Sequence, residues 1–273
     1  TTFSDKVIAA RGEKIWSTTT TSLGTSSSNA IVSGTAMTGS GVITAVSTTG
    51  FSSSGTLQID DELFTYTGIT STTFTGVTRA VSSTIAANHS ATSDASRTVI
   101  SENWTVRDTG RTGALKYRTE RFNYDGNAKL ILVDGANAPV ILNTSLATTD
   151  VSESAVAGAT IVTSFREHMF YAGMSTTPQE VVFSAPFNED DFQAGQGAGS
   201  FKVDDTIVGL KVFRDGLFVF CENRIFKLTG TSSANFAVSS VTRDIGCING
   251  DTIQEFAGDL IFLGPDGLRT VAG

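Results

Sequence analysis

The feature that most constrains this chain is a unit that recurs along it: an apolar strand, a polar turn, a second apolar strand, and a third strand that alternates. The clearest copy spans Thr206 to Gly246. Ile207 to Phe213 reads as a strand and Arg214-Asp215-Gly216 as its turn, with Gly216 free to take a positive φ. Leu217 to Cys221 is a continuous apolar run, as expected of a strand buried on both faces. Glu222-Asn223 turns the chain again, Arg224 to Leu228 alternates as a half-buried strand should, and Phe236 to Asp244 supplies a fourth strand.

A further copy follows from Thr252, with Ile253 to Ala257, Leu260 to Leu263 and Leu268 to Val271, and the sequence stops without a fourth strand. Upstream, Ile161 to Phe165, His168 to Ala172 and Glu180 to Ser184 form one copy. Tyr117 to Tyr124, Lys129 to Val133 and Pro139 to Leu142 form another, and Lys6 to Ala10 with Ile15-Trp16 opens the series. The central turns of the last four copies fall about 40 to 48 residues apart, the period of four-stranded propeller blades. The expected fold class is therefore all-β, with β-propeller-like repeats of four-stranded antiparallel blades, about five in number, the last incomplete.

The first copy breaks the period, and an insertion of roughly 75 residues explains the break. Trp104 to Gly110 resembles Val241 to Gly246, the fourth strand of the clearest copy. The insertion then lies between the third and fourth strands of the first blade, at a loop tip, where added chain disturbs a core least. The expected domains are a body of residues 1–23 and 99–273 and a Ser/Thr/Gly-rich small β module of residues 24–98. Within the module, Val42 to Ser47, Thr56 to Asp60, Leu63 to Thr67 and Thr72 to Thr75 read as short strands, with Asp60-Asp61 a hairpin turn. Ser17 to Asn29 and Ser82 to Ser96 read as polar linkers.

Composition narrows the function classes. The formal net charge is −8 and charged residues make up 17%, with no cluster of Lys and Arg free of nearby acids. Sequence-specific nucleic-acid binding needs a basic patch, so it is disfavoured; an acidic wall past which DNA slides is compatible. Cys221 and Cys247 form no C-x-x-C and read as reduced, buried thiols. No apolar run approaches the ~20 residues of a membrane helix, and no leader opens the chain, so a soluble protein assembled without export is expected.

Candidate chemistry is sparse. His89, in a polar linker, and His168, opening a buried strand, are the two histidines, too few to converge with other ligands on a metal. Asp60-Asp61-Glu62 and Glu189-Asp190-Asp191 lack the spacing of a calcium loop and read as a turn and a solvated loop. Glu13, Asp125, Asp134, Asp215 and Asp259 sit at blade turns, where Asp has a local reason to be, rather than as the paired carboxylates of a glycosidase. Gly195 to Gly199 lacks the Lys-Ser/Thr of a phosphate loop and reads as a flexible loop; no G-x-S-x-G occurs. Trp16 and Trp104 read as blade core. Phe51, Phe64, Tyr66 and Phe74 divide between the module's core and any contact patch it presents. No catalytic, cofactor or metal residue is expected, no cofactor, and no enzymatic activity.

Several runs together resemble a family. These are His168 to Gly173 with Val182 to Pro186 and Asp190-Asp191-Phe192, then Phe218 to Gly230, then Ile245-Gly246-Cys247 leading to Phe262 to Val271. They are similar to the propeller of tail nozzle (tail tubular protein B-like) and tail-hub proteins of tailed bacteriophages. Gly50 to Leu57, Tyr66 to Gly68 and Phe74 to Arg79 resemble a small module found in phage virion proteins. The resemblance covers residues 115–273 best. It implies a structural virion protein, a tail-nozzle or hub subunit that forms a homo-oligomeric ring around the DNA channel. Its partners would be copies of itself and neighbouring tail, portal-adaptor and fibre proteins, with viral DNA only passing through during ejection. The implied location is the virion tail, assembled in the host cytoplasm. A full nozzle is longer than this chain, so a fragment or a shorter relative is implied. The alternative reading is a phage adhesin or fibre-like protein whose module holds a host glycan.

Overall fold

The computed structural model describes residues 1–22, 41–45, 47–49, 51–89, 98–113, 116–124 and 126–271, with the side chains of 19–22 and 98–103 outside that description. The chain opens with β1 (Thr2–Phe3), β2 (Lys6–Arg11) and β3 (Lys14–Ser22). Next come β4 (Gly41–Thr44), β5 (Gly55–Ile59), β6 (Glu62–Tyr66), β7 (Gly68–Ile69) and β8 (Thr73–Arg79). Strand β9 (Thr98–Asp108) then pairs with β3, giving a four-stranded sheet in the order β1-β2-β3-β9. The excursion between β3 and β9 is thus an insertion between the third and fourth strands of the first sheet.

Three more four-stranded sheets follow, each an antiparallel meander in chain order. The second comprises β10 (Arg118–Tyr124), β11 (Asn127–Val133), β12 (Val140–Asn143) and β13 (Thr148–Asp150). The third comprises β14 (Ile161–Phe165), β15 (His168–Ala172), β16 (Glu180–Phe183) and β17 (Gly199–Lys202). The fourth comprises β18 (Ile207–Phe213), β19 (Gly216–Cys221), β20 (Ile225–Thr229) and β21 (Ala237–Thr242). The fifth has three strands among the described residues: β22 (Gln254–Phe256), β23 (Asp259–Gly264) and β24 (Gly267–Thr270). The chain is therefore all-β and built of propeller-like four-stranded antiparallel blades with an inserted small β domain.

Two compact units result. One is Thr1–Trp16 with Val106–Gly273, and the other is Ser17–Thr105. The sequence reading drew the insertion at 24–98; the compact unit also takes in the outer limbs of β3 and β9.

The first unit is held by faces of successive sheets. Residues of a strand alternate between faces, and the second strands of the second, third and fourth sheets use both. Leu130 and Leu132 pack with Phe3, Ile8 and Ile15 of the first sheet, while Ile131 and Val133 pack with Met169 and Tyr171 of the third. Phe170 and Ala172 then meet Leu217 and Val219, and Phe218 and Phe220 meet Leu260 and Phe262. Four apolar cores thus join five sheets. That is why these second strands read as unbroken apolar runs.

The series of sheets curves back on itself. Sheets stack about 10 Å apart, so in a straight stack the second and fifth would be roughly 30 Å apart. Instead, Lys116 Nζ lies 2.6 Å from Asp251 Oδ2, and Arg118 Nε lies 3.1 Å from Asp251 Oδ1. The same guanidinium donates from Nη1 to the Thr160 carbonyl at 3.2 Å, just before the third sheet. The starts of the second, third and fifth sheets therefore converge, as the inner ends of propeller blades do.

The turns depart from expectation in detail. The loop between β18 and β19 is Arg214-Asp215, with Arg214 at φ 52°, and Gly216 pairs with Phe213 as the first residue of β19. Gly216 is required for space instead: a Cβ there would lie 2.3 Å from Lys227 Cε and 3.1 Å from the Leu228 carbonyl oxygen. The fourth strand β21 ends at Thr242, short of the expected Asp244. The fourth strands β13 and β17 lie where no strand was expected, and the Gly195–Gly199 stretch forms part of a 3-10 turn (Ala194–Gln196) leading into β17.

The inserted unit is a sheet in the order β4-β8-β6-β5, with β7 beside β8. Asp60-Asp61 forms the β5–β6 hairpin turn, Ile59 facing Glu62 across it. Its core gathers Ile43, Phe51, Leu57, Ile59, Phe64, Tyr66, Phe74 and Val77.

Candidate functional site

A buried array of interacting polar and charged groups lies in the inserted unit, and the sequence reading did not find it. Glu62, the first residue of β6, is fully buried (0% side-chain exposure). It accepts from Arg79 Nε at 2.8 Å and Nη2 at 2.7 Å, from the Ala80 amide at 3.1 Å and from the Ala87 amide at 2.9 Å. His89 closes the array. Its Nε2 is 2.9 Å from Glu62 Oε2, and its Nδ1 is 2.6 Å from Asp60 Oδ2. Burial alone would raise the Glu62 pKa, but hydrogen bonds from Arg79, the Ala87 amide and His89 outweigh it and hold the value at about 2.

This corrects the reading of residues 82–96 as a polar linker. The described part, to His89, straps back over β6: the Val81 amide donates to the Leu63 carbonyl at 3.2 Å, and the Leu63 amide donates to Thr84 Oγ1 at 3.1 Å. His89 is buried rather than solvated, with its ring edge-on to Phe64 at 5.7 Å. Residues 90–96 lie outside the described residues, as do 23–29 of the other expected linker.

His168 is also buried, in a cage of Phe170, Phe183 and Phe236, with Nδ1 2.5 Å from the Ser184 carbonyl oxygen. A carbonyl only accepts, so Nδ1 carries the proton. The two histidines thus occupy opposite environments, one among charges and one among rings. No cluster of three or more His, Cys, Asp or Glu residues among the described residues suits a metal ion.

The turn carboxylates do not converge. Glu13 lies between the second and third strands of its sheet and Asp134 just after a second strand, whereas Asp215 lies between first and second strands. These positions fall at opposite ends of antiparallel sheets. Asp134 is buried and accepts from the Ala136 and Asn137 amides at 2.9 and 2.8 Å, with Arg111 Nη1 3.7 Å away. Asp215 pairs with Lys227 at 2.8 Å and Asp259 accepts from the Leu260 amide at 2.8 Å. Asp125 lies outside the described residues.

The Glu189-Asp190-Asp191 run is not a solvated loop throughout. Glu189 is buried and paired with Lys129. Asp190 and Asp191 line a recess with Ser152, Glu153, Phe192 and Gln193. Asp190 Oδ1 there accepts from the Ser152 amide at 2.7 Å, and Asp191 Oδ1 accepts from the Gln193 amide at 2.9 Å. Both carboxylates thus serve loop geometry.

Cys221 and Cys247 are buried free thiols, and burial raises the Cys221 pKa to about 12. Phe51, Phe64, Tyr66 and Phe74 all lie in the module's core, so none of them forms an outer patch. Trp104 does not fill a core: it is 50% exposed on β9.

Exposed apolar groups gather instead on the fifth sheet. Pairing of Phe256 with Asp259 and of Leu263 with Leu268 sets Phe256, Ile261, Leu263 and Leu268 on one face. Phe256 is 67% exposed and Leu268 72%. The opposite face, with Leu260 and Phe262, is packed on the fourth sheet.

These features define a class: an all-β protein of propeller-like blades carrying an inserted small β domain. No protein-family model matches the chain, and no curated protein matches it. Solved structures similar to it include a crystal structure of BBS1N in complex with ARL6DN, soaked with mercury. That match has 11% identity over 92% of this chain and 83% of that one, with a TM-score of 0.39. The same complex soaked with lead matches at 12% identity over 96% and 78%, with a TM-score of 0.37. Likeness at this level says nothing of what the chain binds.

Proposed function

We propose that this chain is a structural, non-catalytic subunit of a bacteriophage tail, of the nozzle or hub kind, which packs with copies of itself and with neighbouring tail proteins around the DNA channel. The motif runs from His168 to Val271 support this reading by their resemblance to that family. The observation that carries it is the outer face of the fifth sheet, where Phe256 and Leu268 are exposed beside Ile261 and Leu263. At the four other junctions the corresponding faces are buried against a neighbouring sheet. An apolar sheet face of this kind marks a contact surface.

Mass spectrometry and immunogold labelling of particles made from the genome that encodes the chain test the proposal. Several copies per particle, labelled at the tail, are expected. Its absence from particles would overturn the reading. A glycan array probed with the full chain separates the adhesin alternative, and no binding is expected.

A further inference from the structure

Strand β21 is the outer strand of the fourth sheet, and β20 is its one neighbour among the described residues. An edge of this kind turns alternate N–H and C=O groups away from the sheet, a template for a further strand. Proteins blunt such edges with charge, with proline or by keeping them short. The outer strands of the other sheets follow that rule. Strand β9 carries Arg107 and Asp108, β13 is three residues long and ends in Asp150, β17 ends in Lys202, and β24 carries Arg269. Strand β21 departs from it. Its six residues, Ala-Val-Ser-Ser-Val-Thr, hold no charge and no proline, and all but the last are exposed.

The one irregularity of β21 is a bulge at its C-terminal end. Thr242 pairs with Ile225 and Ser240 with Phe226, so Val241 is the extra residue. Ala237 to Ser240 pair with Thr229 to Phe226 in unbroken register. Phe236, just before them, packs among the rings of Phe165, Phe170 and Phe183 and fixes where the strand leaves the core. The regular part of the edge is therefore both anchored and uncharged.

These features specify the partner. An extended strand supplies N–H and C=O groups at the repeat that this edge presents. Strand β21 of a second copy meets every requirement. Antiparallel pairing about a two-fold axis at Val238 or Ser239 sets the edge against itself. No like charges are then opposed, and no side chain larger than valine holds the two strands apart.

We propose that β21 is a self-association edge: two copies of the chain pair antiparallel through Ala237–Ser240 and join their fourth sheets into one continuous sheet. The contact is separate from the outer face of the fifth sheet and does not rest on the tail reading.

The test is sedimentation of the full chain from micromolar to millimolar concentration, with hydrogen exchange of the β21 amides measured over the same range. A dimer is expected, and the β21 amides that point away from β20 should gain protection as it forms. Val238→Lys places a lysine of each copy in one small contact and should raise the dissociation constant about tenfold or more. Ser240→Lys repeats the test at a second exposed position, and thermal melts check that both variants fold. Leu268→Lys, on the fifth sheet, should leave this dimer unchanged. A chain that stays monomeric throughout would overturn the proposal. So would association that leaves the β21 amides unprotected, or that Leu268→Lys weakens while Val238→Lys and Ser240→Lys do not.

Discussion

Arg79 and Glu62 form a two-pronged ion pair inside the inserted module, Nε and Nη2 of one meeting Oε1 and Oε2 of the other at 2.8 and 2.7 Å. The side chains are 5% and 0% exposed, so little water is at hand to replace either partner. Removing one member of such a pair leaves the other charge buried, at a cost of about 3–5 kcal/mol. Arg79→Met is therefore expected to unfold the module at far lower urea than the parent while the first unit holds. Backbone amide spectra recorded through a urea titration separate the two units. Arg79→Lys should recover only part of the loss, because an ammonium cannot make the fork.

Glu62 also sets an acid limit. Its pKa is held at about 2 in the fold, against an ordinary value of 4.5. A carboxylate depressed in this way contributes stability that is complete above about 4.5 and is lost as pH falls toward 2. Thermal melts of the parent between those limits should show the module weakening steeply. In Glu62→Gln that slope should be smaller, from a lower starting stability.

Asp251 is expected to matter in a salt-dependent way. Lys116 and Arg118 lower its pKa by hydrogen bonding across the converging ends of the second and fifth sheets. The three side chains are partly exposed, so the contribution is small and screened. Asp251→Asn should lower the melting temperature slightly at low salt, and the difference should vanish at high salt.

Gly246 is held by close backbone approach. A Cβ there would lie 2.2 Å from the Glu222 carbonyl oxygen and 2.4 Å from the Asn223 nitrogen. Neither atom can swing aside as a side chain can. Gly246→Ala should destabilise the junction between the fourth and fifth sheets by about 1–3 kcal/mol or more, read by chemical denaturation.

Much of the architecture was legible because burial on two faces leaves a plain mark. The run Leu217 to Cys221 is apolar without alternation and proved to be a second strand between two cores, whereas Leu260 to Leu263 packs on one core, through Leu260 and Phe262. The fourth strands left weaker marks. Strand β21 is exposed along almost its whole length, and β13 is three residues long. The β1–β2 hairpin left no mark because its turn lacks the usual residues: Ser4-Asp5 take positive φ at both positions without glycine or asparagine. The ionic array of the module was invisible for a different reason. Asp60 and Glu62 belong to one hairpin and His89 to a polar stretch 27 residues beyond Glu62, and only the fold brings them together. A single cue was present in the sequence: Arg79, the first basic residue after a long run without one, sits at the end of β8.

The central claim, a structural subunit built into a tail through the open face of its fifth sheet, is tested most directly by cryo-electron microscopy of the intact particle. The expected map shows several copies of the propeller-like unit around the tail axis, with Phe256 and Leu268 covered by a neighbour. Copies absent from the tail, or present with that face open to solvent, would contradict it.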